Sequence, residues 1–334
     1  MQAKQGNIAR VQKESSAFTL NELVVVAAVL AILAAIILPT LRGARMQAQG
    51  AICLGNMKNL MTASLQYAED NSGRWFPNQP GEEDWVTGKM DWGSIIAAGG
   101  YTATNWQLLI TAPGTPLALA TGYYSVFTPY LKQASQYKCP ADPSILFGQG
   151  PRVRSYAANQ AVGTCWTAHV GANTYNNGPV TGQWLDNNSD DGQIYGFCYQ
   201  KTSQMIHPSP AKLYIFIDEH PDSISDGTFA VEIATPGRGG RYIDCPGNLH
   251  DGGASFSFAD GHAQLHHWMG SILGKAPFIN GPLGASSGAE FSAAFPATSV
   301  NSATDVADFS WLTSHTSYPQ NAANAAAFPI PLDP

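Results

Sequence analysis

The sequence predicts an α+β fold in which one long amino-terminal helix packs on an antiparallel sheet inside a loop-rich globular head. Three observations carry that expectation. Leu23 through Leu38 is an unbroken apolar run. Cys53, Met57, Leu60, Met61, Ser64 and Ala68 then recur at spacings of three and four, which makes one mostly apolar helical stripe. Near the other end, Ala254 to Ala259 and His262 to Trp268 alternate apolar and polar residues around Asp260-Gly261, the pattern of a β-hairpin. With 33 Gly and 22 Pro among 334 residues, much of the remainder reads as turns and irregular connections.

Taken in order, residues 1–17 are polar, with Lys4, Arg10 and Lys13 opposed only by Glu14. The run from Leu23 to Leu38 covers about 24 Å as a helix, short of a ~30 Å hydrocarbon core. Phe18, Thr19 and Leu20 before it, and Thr40 and Leu41 after it, close the gap, and Arg42 and Arg45 mark the far edge. A basic segment ahead of such a span holds the amino terminus in the cytoplasm. A cleaved secretory signal, with AILAA as its small-residue site, is the competing reading. Glu22, inside the apolar stretch, argues against it. A carboxylate costs about 2.5–3.5 kcal/mol at the centre of a membrane helix and somewhat less toward its edge. It therefore needs a partner, and no Lys, Arg or His lies between Phe18 and Leu41. The partner must come from another chain or from an amine newly made by cleavage. Pro39 lacks a backbone donor and predicts a kink or local unwinding; Asn71, Ser72 and Gly73 end the helix.

The head opens with a loop-rich stretch, Arg74 to about Lys138, containing Trp75, Trp85, Trp92 and Trp106. Their first reading is core filling; the second is a surface that grips glycan or another partner. Tyr214 to Asp218 reads as a buried strand, and Thr228 to Ile233 as another beyond the turn signals of HPDSISDG. A two-residue type I′ loop at Asp260-Gly261 would set Phe258 opposite Ala263 and Phe256 opposite Leu265. Ser255, Ser257, Gln264 and His266 would then share the polar face. A short helix is expected near Asp305 to Thr313. The chain shows no internal repeat and no second domain.

Composition narrows function. The 17 basic and 24 acidic residues leave −7, with no long run of either sign, so no nucleic-acid partner is expected. Apolar content of 44% excludes wholesale disorder. For an exported head, Cys139, Cys165, Cys198 and Cys245 predict at least one disulfide of open connectivity, and Cys53 reads as a buried small hydrophobe. No Cys-x-x-Cys or Cys/His ligand spacing appears, so zinc is not expected. Asp186, Asn188, Asp190 and Asp191 precede Gly192 with oxygen ligands at near-alternating positions. A solvated turn is the first reading and a calcium loop the second, because Cys198 stands where the bidentate acid belongs. Calcium is the only cofactor left open. Catalysis would have to use Asp218, Glu219, His220, His250, Asp260, His262 and His266, and no nucleophile elbow accompanies them, so no enzyme is expected.

The string AFTLNELVVVAAVLAILAAIILPTL resembles the type IV prepilin and pseudopilin signature. The resemblance implies cleavage between Ala17 and Phe18, methylation of the new Phe18 amine, and a filament role for Glu22, which would neutralise a neighbouring subunit's amine. Ala17 stands where Gly is usual, and Asn21 where an apolar residue is common. YKCPAD (137–142), SYAAN (155–159), FIDEHPDSISDG (216–227) and NLHDGGASFSFADGHAQLHHW (248–268) resemble large pilin-like proteins with a processing-associated H-X(9)-DG domain. His250 and, after nine intervening residues, Asp260-Gly261 fit that pattern and read as structural. The implied layout is a leader over 1–17, a transmembrane and stalk helix over 18–72, and an extracytoplasmic head over 73–334. The motif region is 205–268. The implied protein is a single-pass, inner-membrane structural subunit of a type IV pilus or type II secretion-type filament. Its partners would be identical or related pilin-like subunits and the prepilin peptidase/methyltransferase. The alternative is a membrane-anchored surface protein whose aromatic-rich head binds glycan or another extracellular partner.

Overall fold

In the computed structural model the chain divides into two compact units, residues 1–45 and 46–334. The structure describes residues 19–78, 85–86, 105–112, 114–115, 124–146, 150–167, 174–179, 185, 196–224, 226–233, 242–274 and 302–318. At 39, 42, 165–167 and 174–179 it describes the backbone only. Ala17, Phe18 and Trp92, and the calcium candidates Asp186, Asn188, Asp190 and Asp191, lie outside these residues.

Helix α1 runs from Leu20 to Asp70. In the first unit its large apolar side chains, among them Leu23, Val25, Leu30, Ile32, Ile36 and Leu38, are exposed. A helix that is apolar all round and uncovered by protein suits a hydrocarbon surrounding. It is long and apolar enough to cross a membrane. The local unwinding expected at Pro39 does not occur: the helix continues on both sides, and the Thr40 hydroxyl donates to the Ile37 carbonyl at 2.8 Å. One missing donor is a local loss that the flanking turns absorb. The helix stops where Ser72 and Gly73 turn to positive φ, and Gly73 N–H donates back to the Ala68 carbonyl.

In the second unit, β1 (Ile145–Leu146) pairs with β2 (Gly150–Pro151), and β4 (Thr164–Thr167) with β5 (Thr174–Pro179). The central sheet holds β3 (Tyr156–Asn159), β6 (Tyr214–Asp218), β7 (Thr228–Phe229), β8 (Gly253–Phe258) and β9 (Ala263–His267), in the order β7-β3-β6-β8-β9. The sheet is mixed rather than antiparallel throughout, because β7 runs parallel to β3. The turns between β6 and β7 reverse the chain once. A strand opposite to β6 must then run along β3, itself antiparallel to β6. Strand β7 is shorter than expected, with Val231 making only an isolated bridge to Tyr242.

Apolar layers cover both sheet faces. On one, Cys53, Met57, Leu60 and Met61 of α1 join Trp75, Phe76, Trp85, Phe127, Tyr137, Tyr156 and Phe216. All six stripe residues, Ser64 and Ala68 included, are buried. On the other, Tyr214, Ile217, Phe256, Phe258 and Trp268 meet Phe309 and Leu312 of α3 (Ala303–Ser314), joined by Ile272 and Leu273 of α2 (Ser271–Gly274). Asp305 and Asp308 of α3 accept from Ile272, Met269 and Gly270 N–H, which ties α2 to α3. Strand β6 is therefore buried on both sides, as its continuous apolar run implies.

The hairpin forms in a register one residue from that expected. Ser257 lies opposite Ala263, Phe256 opposite Gln264, and Ser255 opposite Leu265. Phe258 N–H donates to the His262 carbonyl, and Gly261 N–H to the Phe258 carbonyl, so the loop is Ala259-Asp260-Gly261. Only Gly261, at φ +95°, enters positive φ. A type I′ turn needs two such residues; one, following a tight turn, gives the three-residue loop. The Asp260 carboxylate accepts from His262 N–H at 3.0 Å and fixes the chain's exit. The serine face is not solvated either: Ser255 and Ser257 are fully buried. A β-carbon at Gly261 would meet nothing within 4 Å. Gly261→Val is therefore expected to cost about 1–3 kcal/mol from backbone strain alone, read as a lowered melting temperature. An unchanged melt would contradict the positive φ.

Candidate functional site

The amino-terminal feature is the start of α1. Thr19 N–H and the Thr19 hydroxyl both donate to Glu22 Oε2 at 2.8 Å, while Glu22 N–H donates to Thr19 Oγ1 at 3.3 Å. This is a capping box, which satisfies donors that the first helical turn leaves open. The sequence reading missed it, although Thr-x-x-Glu before an apolar run is its signature. Within its own chain Glu22 therefore has a hydrogen-bonded place but no counter-charge between Phe18 and Leu41.

A second feature is built from residues far apart in sequence. The four strings that resemble the H-X(9)-DG proteins converge under α1. From YKCPAD comes Cys139, in a turn held by Asp142, which accepts from Ser144 N–H and the Ser155 hydroxyl. Ser155 in turn accepts from Cys139 N–H. SYAAN supplies Tyr156, whose hydroxyl lies 3.2 Å from Cys53 Sγ. FIDEHP supplies Asp218, opposite Tyr156 at the end of β6, its carbonyl bound by Gly247 N–H. NLHDGG supplies His250, in a turn made by the positive φ of Asp251 and Gly252.

His250 Nε2 sits 3.2 Å from Cys139 Sγ and 3.6 Å from Asp218 Oδ2. The Ser255 hydroxyl donates to Cys53 Sγ at 3.1 Å. The ligand atoms of Cys53, Cys139, Asp218 and His250 all lie within 4.8 Å of one another, and all four residues are buried. Burial, with Cys53 and Asp142 nearby, pushes the Asp218 carboxyl well above the usual carboxylate range. Burial also raises the Cys53 thiol, but hydrogen bonds from Cys139 and His250, and the imidazole's charge, outweigh it and bring the group to about 5. Cys139 is pushed up by its hydrogen bond to Cys53 and by burial.

The remaining candidates disperse. Glu219 points away from Asp218 and accepts from the Ser223 hydroxyl, and His220 Nδ1 accepts from Asp222 N–H. His262 stacks on Phe258 at 4.3 Å with its Nδ1 2.6 Å from Asp260 Oδ1. His266 stacks on Trp311 at 3.7 Å, and burial, helped by His315 and His267, lowers it to about 4. Two pairs of these candidates meet: Asp218 with His250 in the buried cluster, and Asp260 with His262 on the exposed hairpin turn. Among the cysteines, Cys53, Cys139 and Cys245 are not in disulfides. The expected disulfide does not involve Cys139 or Cys245: the Asp142 turn carries Cys139 to α1, and Cys245 Sγ faces the Pro246 carbonyl. Cys53 is buried as expected, but among polar groups. Trp75 and Trp85 are fully buried and belong to the core, while Trp106 is exposed.

With that geometry in hand, no protein-family model, no curated protein and no solved structure matches the chain.

Proposed function

We propose that the protein is a non-enzymatic pilin-like subunit of an envelope filament, of type IV pilus or type II secretion type. A peptidase would remove residues 1–17, and the head would stand outside the cytoplasmic membrane. The observation that carries this reading is Glu22: an acidic group at the start of an uncovered apolar helix, with no Lys, Arg or His between Phe18 and Leu41. Filament assembly supplies that charge from the Phe18 amine of a neighbour. Trp75 and Trp85 are core residues, so the glycan-binding alternative would rest on other aromatics such as Trp106, which is exposed.

Amino-terminal and intact-mass analysis of protein recovered from membranes tests the reading. The mature chain is expected to begin at Phe18, N-methylated, without Lys4, Arg10, Lys13 and Glu14. Retention of Met1, or a cut after Ala35, would refute it.

A further inference from the structure

Four metal-ligating side chains meet in one buried place, each from a separate segment: Cys53 on α1, Cys139 after the 134–137 turn, Asp218 at the end of β6, and His250 before β8. Two soft thiols, one imidazole and one carboxylate make a donor set suited to zinc. Tetrahedral zinc, with bonds of about 2.3 Å to sulfur and 2.0–2.1 Å to nitrogen or oxygen, sets its ligand atoms roughly 3.3–3.8 Å apart. The observed 3.6 Å between His250 and Asp218 falls in that range, the 3.2 Å between His250 and Cys139 just below it, and all four ligand atoms lie within 4.8 Å of one another. A second observation is independent of the distances. Among the described residues, neither Asp218 carboxylate oxygen has a hydrogen-bond partner, Oδ2 lying 3.6 Å from His250 Nε2, and both are buried. Buried polar groups are almost always satisfied, so an acid left in this state points to a missing cation. Gly50 fits as well: a β-carbon there would lie 3.7 Å from His250 Nδ1 and 3.2 Å from Leu265 Cδ1, so glycine leaves the imidazole its place beside α1.

We propose that Cys53, Cys139, Asp218 and His250 form a structural zinc site that pins the amphipathic part of α1 to the sheet. Both sulfurs coordinate as thiolates, and binding releases to solvent the protons that the thiols and Asp218 still hold, while His250 coordinates as neutral imidazole through Nε2. The H-X(9)-DG motif then divides its labour, with His250 serving the metal and Asp260-Gly261 serving the hairpin that carries Ser255 to Cys53. A Cys53–Cys139 disulfide is the rival occupant. It would use two of the four groups and leave Asp218 and His250 buried and unsatisfied. The site is independent of the filament reading.

Full-length protein in detergent, stripped with chelator under thiol reductant, is titrated with Co²⁺ and then Zn²⁺. One cobalt per chain is expected, with thiolate-to-cobalt charge-transfer bands and tetrahedral ligand-field bands that one equivalent of zinc abolishes. Zinc should also shield Cys53 and Cys139 from alkylation in mass mapping. His250→Gln should weaken zinc binding at least about tenfold, the cost of losing even an outer partner of a ligand. Cys198→Ser should leave the stoichiometry unchanged. If His250→Gln does not fold, the wild-type titration and alkylation map decide by themselves. Folded wild-type protein that takes up no cobalt overturns the proposal. So does a Cys53–Cys139 disulfide in protein prepared without reductant, selective uptake of copper in place of zinc, or unchanged affinity in folded His250→Gln.

Discussion

Glu22→Leu is expected to reach the membrane at wild-type levels or above and to fail in filament assembly. Removing the carboxylate relieves an insertion cost of up to about 2.5–3.5 kcal/mol. Assembly suffers because a neighbour's Phe18 ammonium would be buried without a counter-charge, a loss of about 3–5 kcal/mol per contact. At 1.4 kcal/mol per tenfold, that is at least a hundredfold at each subunit addition. The capping box complicates this substitution, since leucine also abandons the hydrogen bonds from Thr19. Glu22→Gln separates the two roles. Glutamine can still accept from Thr19 at the helix start, but it offers the ammonium no charge. Both variants should therefore accumulate in the membrane and yield almost no sheared filament. Normal filament yield from Glu22→Gln, beside failure of Glu22→Leu, would mean that Glu22 does no more than cap its own helix.

Local pattern made much of the fold legible. The stripe from Cys53 to Ala68 is buried because a period near 3.6 puts those positions on one face. The continuous apolar run YIFID marked a strand covered on both sides, and Tyr214–Asp218 is that strand. Where the reading failed, tertiary structure decided. The hairpin register turned on whether one or two loop residues take positive φ, and Asp-Gly is compatible with either. Once Asp260 binds back to His262 N–H, the three-residue loop follows and every cross-strand pair moves by one. The serines of β8, alternating with Phe256 and Phe258, looked like a solvent face. They are buried because α1 lies over them, and small hydroxyls allow the close approach that Ser255 uses to reach Cys53. Parallel pairing of β7 was likewise invisible, since no single strand records its neighbour's direction.

The thiol, imidazole and carboxylate cluster was not legible, for a related reason. Sequence rules for metal sites depend on ligands a few residues apart, on one turn or one helix face. Here the chain lengths between Cys53, Cys139, Asp218 and His250 run to tens of residues, and only the folded sheet brings them together. What the sequence did contain was the grouping: each motif string delivers one member or one support of the site. Asp142 and Ser155 shape the turn of Cys139, and Gly247 approaches Asp218 so closely that a β-carbon would lie 2.9 Å from its carbonyl oxygen.

Trp85→Ala is expected to cost about 3–5 kcal/mol, a large part of the roughly 5–15 kcal/mol that a domain commands. Trp85 is fully exposed to neighbours and not at all to solvent. It stacks on Tyr137 at 5.8 Å, meets Phe216 edge-on at 5.1 Å, and lies 5.5 Å from Phe127. Each ring comes from a different segment, so truncation opens a cavity that no single side chain can close. Its Nε1–H donates to the Gly227 carbonyl at 2.8 Å, which Ala158 N–H also reaches. Trp85→Phe would keep most of the ring contact and remove the indole donor from that carbonyl, for a loss nearer 1–2 kcal/mol. Denaturant unfolding of full-length protein in detergent measures both, with an unchanged m-value as the check that only stability has moved. Tyr137 precedes Cys139 by two residues, so the alanine variant should also speed hydrogen exchange across the 134–142 turn, while α3, on the opposite face of the sheet, keeps its protection. A loss below about 1 kcal/mol for Trp85→Ala would mean that the aromatic cluster repacks around the gap, and that Trp85 is not the wedge that fixes this face of the sheet.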